Sequence, residues 1–103
     1  MFCKERVREI ANQYAETVKN ALSPDKIILF GSYVNGTPHE WSDIDIAVIM
    51  NNFEGEWLKT ASLLGKLNRN ICIDIEPHLL DETHDPSGFV EHVIKTGEVI
   101  YSV

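Results

Sequence analysis

Cysteine, basic side chains and long apolar runs are all scarce in this sequence of 103 residues. Its two cysteines, Cys3 and Cys72, lie far apart and form no Cys-x-x-Cys pair, which favours a reduced protein without disulfides. No apolar run approaches the ~18–20 residues that span a bilayer, and the N-terminus lacks the apolar segment of a signal peptide. We therefore expect a cytoplasmic protein that does not associate with membranes.

Basic residues are too few and too scattered to form a nucleic-acid-binding stripe. Nine Lys and Arg stand against 16 Asp and Glu, which gives a formal net charge of −7. Proteins that hold nucleic acid neutralise its phosphates with clustered basic side chains, so we expect no stable nucleic-acid binding here. The hydrophobic fraction of 44% excludes a disordered chain. The length suits a single domain over residues 1–103.

The spacing of apolar residues predicts an alternation of helices and strands. In chain order these are a helix over 4–22, strands over 26–30 and 43–50, a helix over 56–68, a strand over 71–76, a helix from Asp85-Pro86-Ser87 to about Thr96, and a short strand over 98–101. Turn signals at Asn35-Gly36 and Pro38 separate the first two strands. This order predicts an α+β fold, an α/β sandwich in which helices pack on a single mixed sheet.

Gly31 and Ser32 directly follow the first predicted strand. Glycine lets the backbone turn sharply and approach a ligand closely. A short helix that begins at Ser32 would point its free N–H groups at an anion such as phosphate. The segment has no Gly-Lys-Ser/Thr ending, so it is not a Walker loop. Taken alone, the Gly-Ser pair could equally be an ordinary turn.

Carboxylates recur on the second and third predicted strands. Asp43 and Asp45 are two residues apart, so their side chains emerge from one face with Cα atoms about 7 Å apart. Such a pair alone is more often a solvated strand edge, but Asp74, between two isoleucines of the third strand, would converge with it. Three clustered carboxylates repel one another and favour a divalent cation, and oxygen ligands select Mg²⁺ or Mn²⁺.

Two other polar residues lie near this predicted cluster. Glu76 shares a face with Asp74 and is an alternative third ligand, although Pro77 directly after it suggests that the strand ends there. His78 is one of four histidines that have no zinc-ligand spacing, and we expect each to be a surface or structural residue. The sequence therefore favours Asp74 over Glu76 as the third carboxylate.

The segment Gly31-Ser32, ten residues and then Asp43-Ile-Asp45 resembles the signature of the DNA polymerase beta-like nucleotidyltransferase superfamily. The short chain is similar to the minimal nucleotidyltransferases, which often occur beside HEPN-domain proteins in toxin–antitoxin pairs. The resemblance implies that Gly31 and Ser32 hold the β- and γ-phosphates of a nucleotide. It implies that Asp43 and Asp45 bind two Mg²⁺ ions, with Mn²⁺ as a substitute. Asp74 would complete the metal site and orient or deprotonate the acceptor hydroxyl.

The chain departs from this superfamily just after the Gly-Ser pair. Many members carry an arginine two or three residues after the serine, whereas Tyr33, Val34 and Asn35 follow it here. Positive charge for the triphosphate would then come from Lys66, from Arg69 or from a partner.

The resemblance implies an enzyme that transfers a nucleoside monophosphate, AMP from ATP, to a hydroxyl. The acceptor would be a partner protein, such as a tyrosine of a HEPN-type toxin, since the chain is too short for a second domain that could shape a small-molecule cleft. One alternative is a non-catalytic module that neutralises its partner by covering it. Nucleotidyl transfer to a small molecule is another. Each of these three functional hypotheses is compatible with a homo- or hetero-oligomer.

Overall fold

The computed structural model describes residues 2–36 and 43–103. Over these ranges it contains four helices and four strands, which are α1 (Lys4–Ala21), β1 (Lys26–Phe30), α2 (Ser32–Asn35), β2 (Ile44–Ile49), α3 (Trp57–Arg69), β3 (Ile75–Leu80), α4 (Phe89–Thr96) and β4 (Glu98–Ser102). Residues 37–42, which include Pro38 of the predicted turn, lie outside the described residues. None of the described helices is both long enough and apolar enough to cross a membrane.

The four strands form one mixed sheet in the order β3-β2-β1-β4. Strand β1 is antiparallel to β2 and β4, whereas β2 and β3 are parallel. Parallel neighbours need a crossover connection, which α3 supplies. The same end of the sheet therefore contains the start of β2, the start of β3 and the end of β1. The predicted α+β fold with a single mixed sheet is confirmed.

Helices cover both faces of this sheet. The buried side chains of α1 and α3 pack on one face, where Ile44, Ile46 and Val48 of β2 also point. Helix α4 packs on the other face, against Ala47 and Ile49 of the same strand. The alternation predicted for β2 is thus confirmed, since its even-numbered isoleucines and valine lie together. Odd-numbered residues of β2, including Asp45, lie on the α4 face.

The third strand differs from its prediction. It runs over Ile75–Leu80 rather than 71–76. The buried side-chain amide of Asn68 donates hydrogen bonds to the carbonyls of Cys72 and Ile75, both at 3.1 Å, and so holds the preceding residues in a turn. Pro77 lies inside the strand because β3 is at the edge of the sheet, where a missing N–H faces no partner strand.

The last helix also begins later than predicted, at Phe89. The carboxylate of Asp85 accepts hydrogen bonds from the backbone N–H groups of Val90 and Glu91, both at 3.0 Å. Asp85 therefore caps the first turn of α4 from the preceding loop instead of lying within the helix. The final strand forms as predicted, over Glu98–Ser102.

Candidate active site

The backbone turns sharply at Gly31, between β1 and α2. Gly31 has φ +84° and ψ −153°, a conformation that is almost restricted to glycine. Its carbonyl accepts hydrogen bonds from the N–H groups of Val34 (3.0 Å) and Asn35 (2.9 Å), so a short helix does begin at Ser32. A Cβ placed on Gly31 would collide with Oδ2 of Asp45. Glycine is therefore required here both by the backbone conformation and by the neighbouring carboxylate.

The parallel pairing of β2 and β3 places two acidic residues side by side. Asp45 and Glu76 are direct partners in the register, and both point to the α4 face of the sheet. Asp43 immediately precedes β2 on the same face, and its carboxylate interacts with that of Glu76. Three carboxylates thus converge at the end of the sheet where the Gly31 turn lies.

Asp74 occupies a different position. It is exposed and immediately precedes β3, and its backbone carbonyl accepts a hydrogen bond from the N–H of Ile44 at 2.8 Å. Among the described residues, the cluster with metal-binding geometry consists of Asp45, Glu76 and His78. The structure therefore brings Glu76, the alternative ligand, beside Asp45. The role predicted for Asp74 stays a prediction.

His78 is the residue of this cluster that sequence reasoning missed. Its Nε2 lies 3.3 Å from Oδ1 of Asp45, and its side chain is 30% exposed. The pattern Glu76-Pro77-His78 contains the signal, because residues two apart on a strand share a face. That signal was hidden by the expectation that the strand ends at Pro77.

The cluster carries negative charge that lysine and arginine do not neutralise. Burial raises the pKa of Glu76 above the ordinary 4.5, and the neighbouring carboxylates of Asp43 and Asp45 raise it further, whereas His78 opposes the shift. Within residues 2–36 and 43–103, the ion pairs made by lysine or arginine do not involve these acids. A repelling group of oxygen donors around one point fits a divalent cation.

Lys66 and Arg69, the predicted sources of positive charge, lie in the last turn of α3. The buried residues of that helix pack on the face of the sheet opposite to Asp45. Both side chains are exposed, and neither forms an ion pair with the acidic cluster in the described part of the chain.

Comparison with known proteins identifies a family. The family model described as "Polymerase beta, Nucleotidyltransferase" matches residues 12–103. No curated protein sequence matches the chain at a significant level.

Several solved structures share the fold. A Sulfolobus solfataricus protein assigned as a nucleotidyltransferase has a TM-score of 0.70 and 21% identity, over 96% of this chain and 83% of that one. A toxin–antitoxin complex with AMP-PNP matches at 25% identity and a TM-score of 0.63, over 90% of this chain and 73% of that one. A variant of the toxin–antitoxin MntA–HpeT reaches 27% identity and a TM-score of 0.66, over 89% and 72%.

One further match is described as a tri-AMPylated Shewanella oneidensis HEPN toxin in complex with MNT antitoxin. It has a TM-score of 0.61 and 21% identity, over 94% of this chain and 73% of that one.

Proposed function

We propose that this chain, which belongs to the polymerase beta nucleotidyltransferase family, transfers AMP from ATP to a hydroxyl group of a partner protein. The observation that carries the proposal is the contact between the Gly31 turn and Asp45. It places the segment that would bind phosphate directly against the carboxylates that would bind metal.

The donors on the α4 face fit divalent cations, and we assign Asp43, Asp45 and Glu76 to hold them. Bound cations would neutralise the triphosphate and polarise the phosphate under attack. The backbone at Gly31 and the hydroxyl of Ser32 would hold the β- and γ-phosphates. The cations are Mg²⁺ or Mn²⁺, since carboxylate ligands suit both.

In the proposed reaction the acceptor hydroxyl oxygen attacks the α-phosphorus of ATP. A new O–P bond forms, the bond to the β-phosphate oxygen breaks, and pyrophosphate leaves. We assign Glu76 to accept the hydroxyl proton, because its carboxylate lies beside that of Asp45 on the α4 face of the sheet. Asp74, which immediately precedes β3, is the competing candidate for that proton.

The proposed acceptor is a tyrosine hydroxyl of a HEPN-type toxin, and this chain would be the antitoxin. Complexes of toxins with antitoxins are among the solved structures that it resembles at 25% and 27% identity. The AMPylated HEPN toxin in the complex of the same fold suggests the modification. A net charge of −7 also favours association with a basic partner.

Co-expression with a HEPN-type toxin tests the proposal. Intact-mass spectrometry of the partner should show one or more added AMP groups. Asp45→Asn should abolish the adduct, whereas Glu91→Gln, a matched exposed substitution on α4, should leave it unchanged. A toxin that is silenced equally by the Asp45→Asn variant, without an adduct, would instead support the non-catalytic module. ATP consumption that depends on Asp45 but leaves the partner unmodified would support a small-molecule acceptor.

A further inference from the structure

The imidazole of His78 completes a cluster of three donors that could share one metal ion. One donor atom from each of Asp45, Glu76 and His78 lies within 4.8 Å of the other two. At a metal–ligand distance of about 2.1 Å, neighbouring ligands of an octahedral ion are ~3 Å apart and opposite ones ~4.2 Å apart. The separation of 3.3 Å between Nε2 of His78 and Oδ1 of Asp45 is close to the first of these values.

Packing on the α4 face fixes the ring in this position. The rings of His78 and Phe30 pack in a T-shaped arrangement, with centroids 5.1 Å apart, although β2 lies between their strands. The rings can meet because Ala47, the β2 residue opposite His78, has a small side chain. Phe30 in turn packs edge-on against Phe89 of α4, at 6.0 Å. The imidazole is therefore held against Asp45 by contacts that require no metal.

The carboxylate of Asp45 has a different neighbour on each side. Its Oδ1 faces His78, and its Oδ2 faces the Gly31 turn. Oδ1 is therefore the Asp45 atom that could share a cation with His78, while Oδ2 faces the turn that would bind phosphate.

We propose that Nε2 of His78 is a direct ligand of a divalent cation that Asp45 and Glu76 also bind. The inference rests on the metal site proposed above and adds a nitrogen donor to it. Imidazole favours transition metals, whereas Mg²⁺ prefers oxygen ligands and keeps its water. The site therefore discriminates for Mn²⁺ against Mg²⁺ more strongly than carboxylates alone would.

Electron spin-echo spectroscopy of Mn²⁺ added to the purified protein tests this ligand directly. The spectrum of the wild-type protein should show coupling to a ¹⁴N nucleus, and labelling with ¹⁵N-histidine should replace it with ¹⁵N coupling. His78→Gln should lose the coupling and bind Mn²⁺ about tenfold more weakly, while Mg²⁺ affinity, measured by competition, falls less. His92→Gln, at an exposed position on α4, is the matched control and should behave as the wild type.

The possible failures are distinct. Mn²⁺ binding that requires Asp45 but shows no nitrogen coupling in the wild type would overturn ligation by His78 and leave the metal site intact. Coupling that persists in His78→Gln would overturn it too. Mn²⁺ binding that is unchanged in Asp45→Asn would refute the metal site itself. The isotope experiment identifies a histidine ligand without any substitution. If His78→Gln fails to fold, a variant in which His39, His84 and His92 are all replaced by Gln should keep the coupling, and its loss there would overturn ligation by His78.

Discussion

Replacing Gly31 with alanine should damage both the fold and the metal site. The backbone at φ +84° and ψ −153° costs a residue with a Cβ roughly 1–3 kcal/mol. The new Cβ would also collide with Oδ2 of Asp45 and lie only 3.2 Å from its Cγ and 3.3 Å from its Cβ. Relieving this overlap adds about 1 kcal/mol or more. We expect the free energy of unfolding to fall by about 2–4 kcal/mol.

For a domain of this size, that loss lowers Tm by roughly 10–20 °C. Gly36→Ala at the other end of α2 is the matched control. Gly36 also has a positive φ of +79°, but within residues 2–36 and 43–103 no atom beyond its chain neighbours would lie within 4 Å of its new Cβ. We expect it to lose about 1–2 kcal/mol from backbone strain alone. Calorimetry with and without Mn²⁺ measures both effects, because a bound ion raises Tm.

The rise in Tm caused by Mn²⁺ should vanish in Gly31→Ala and persist in Gly36→Ala. Combining Gly31→Ala with Asp45→Ala should recover the part of the loss that comes from the collision, so the two effects will not add. Equal losses in the two glycine variants, with the Mn²⁺ response kept in both, would refute the argument that the turn positions Asp45.

Three further outcomes are expected. Burial and nearby carboxylates raise the pKa of Glu76, so between pH 4.5 and the raised value the metal-free folded protein binds more protons than the unfolded chain. Its free energy of unfolding should therefore fall as pH rises through that range. In denaturant titrations across pH, Glu76→Gln should make this fall smaller. Glu76→Gln should also abolish AMP transfer while Asp74→Asn keeps it, and the opposite result in a labelled-ATP assay would restore Asp74 as the third carboxylate. Tyr14→Phe should cost about 0.5–1.5 kcal/mol in urea unfolding, since the buried hydroxyl donates to the carbonyl of Leu64 at 2.9 Å, and should leave Mn²⁺ affinity unchanged.

Local sequence was sufficient for the parts of the site that depend on a strand's own periodicity. The alternation in β2 placed Ile44, Ile46 and Val48 in the core, and so placed Asp45 on the opposite face. The pair Gly31-Ser32 after an apolar strand predicted a turn and left open a short helix from Ser32, and both form. Neither inference needed a partner strand.

The bounds of β3 could not be predicted from its own periodicity. Isoleucines at alternate positions over 71–75 are typical of a strand, yet Ile73 is 82% exposed. The turn there is closed by the buried amide of Asn68, and the ladder begins where the N–H of Ile44 reaches the carbonyl of Asp74. Both interactions depend on tertiary packing. Propensity within one segment cannot report them.

Pro77 misled the prediction for a related reason. A proline excludes a central strand but is compatible with an edge strand, and a strand's place in the sheet is a property of topology. Once β3 is known to be at the edge, the segment Glu76-Pro77-His78 indicates two polar side chains on one face of the sheet. The omission of His78 and the preference for Asp74 over Glu76 thus both rested on the predicted bounds of this strand.

Asp45 connects the two halves of the candidate site. One of its carboxylate oxygens lies against the Gly31 turn and the other against His78, so it cannot shift toward either without leaving the other. A cation that fixes this carboxylate would also fix the space beside the turn. Binding of phosphate at the turn would in return hold the carboxylate in place, since coupling between two sites is reciprocal. Repulsion among the carboxylates destabilises the metal-free protein, and a bound cation relieves it. The same repulsion therefore favours metal binding, and through Asp45 it couples metal binding to nucleotide binding.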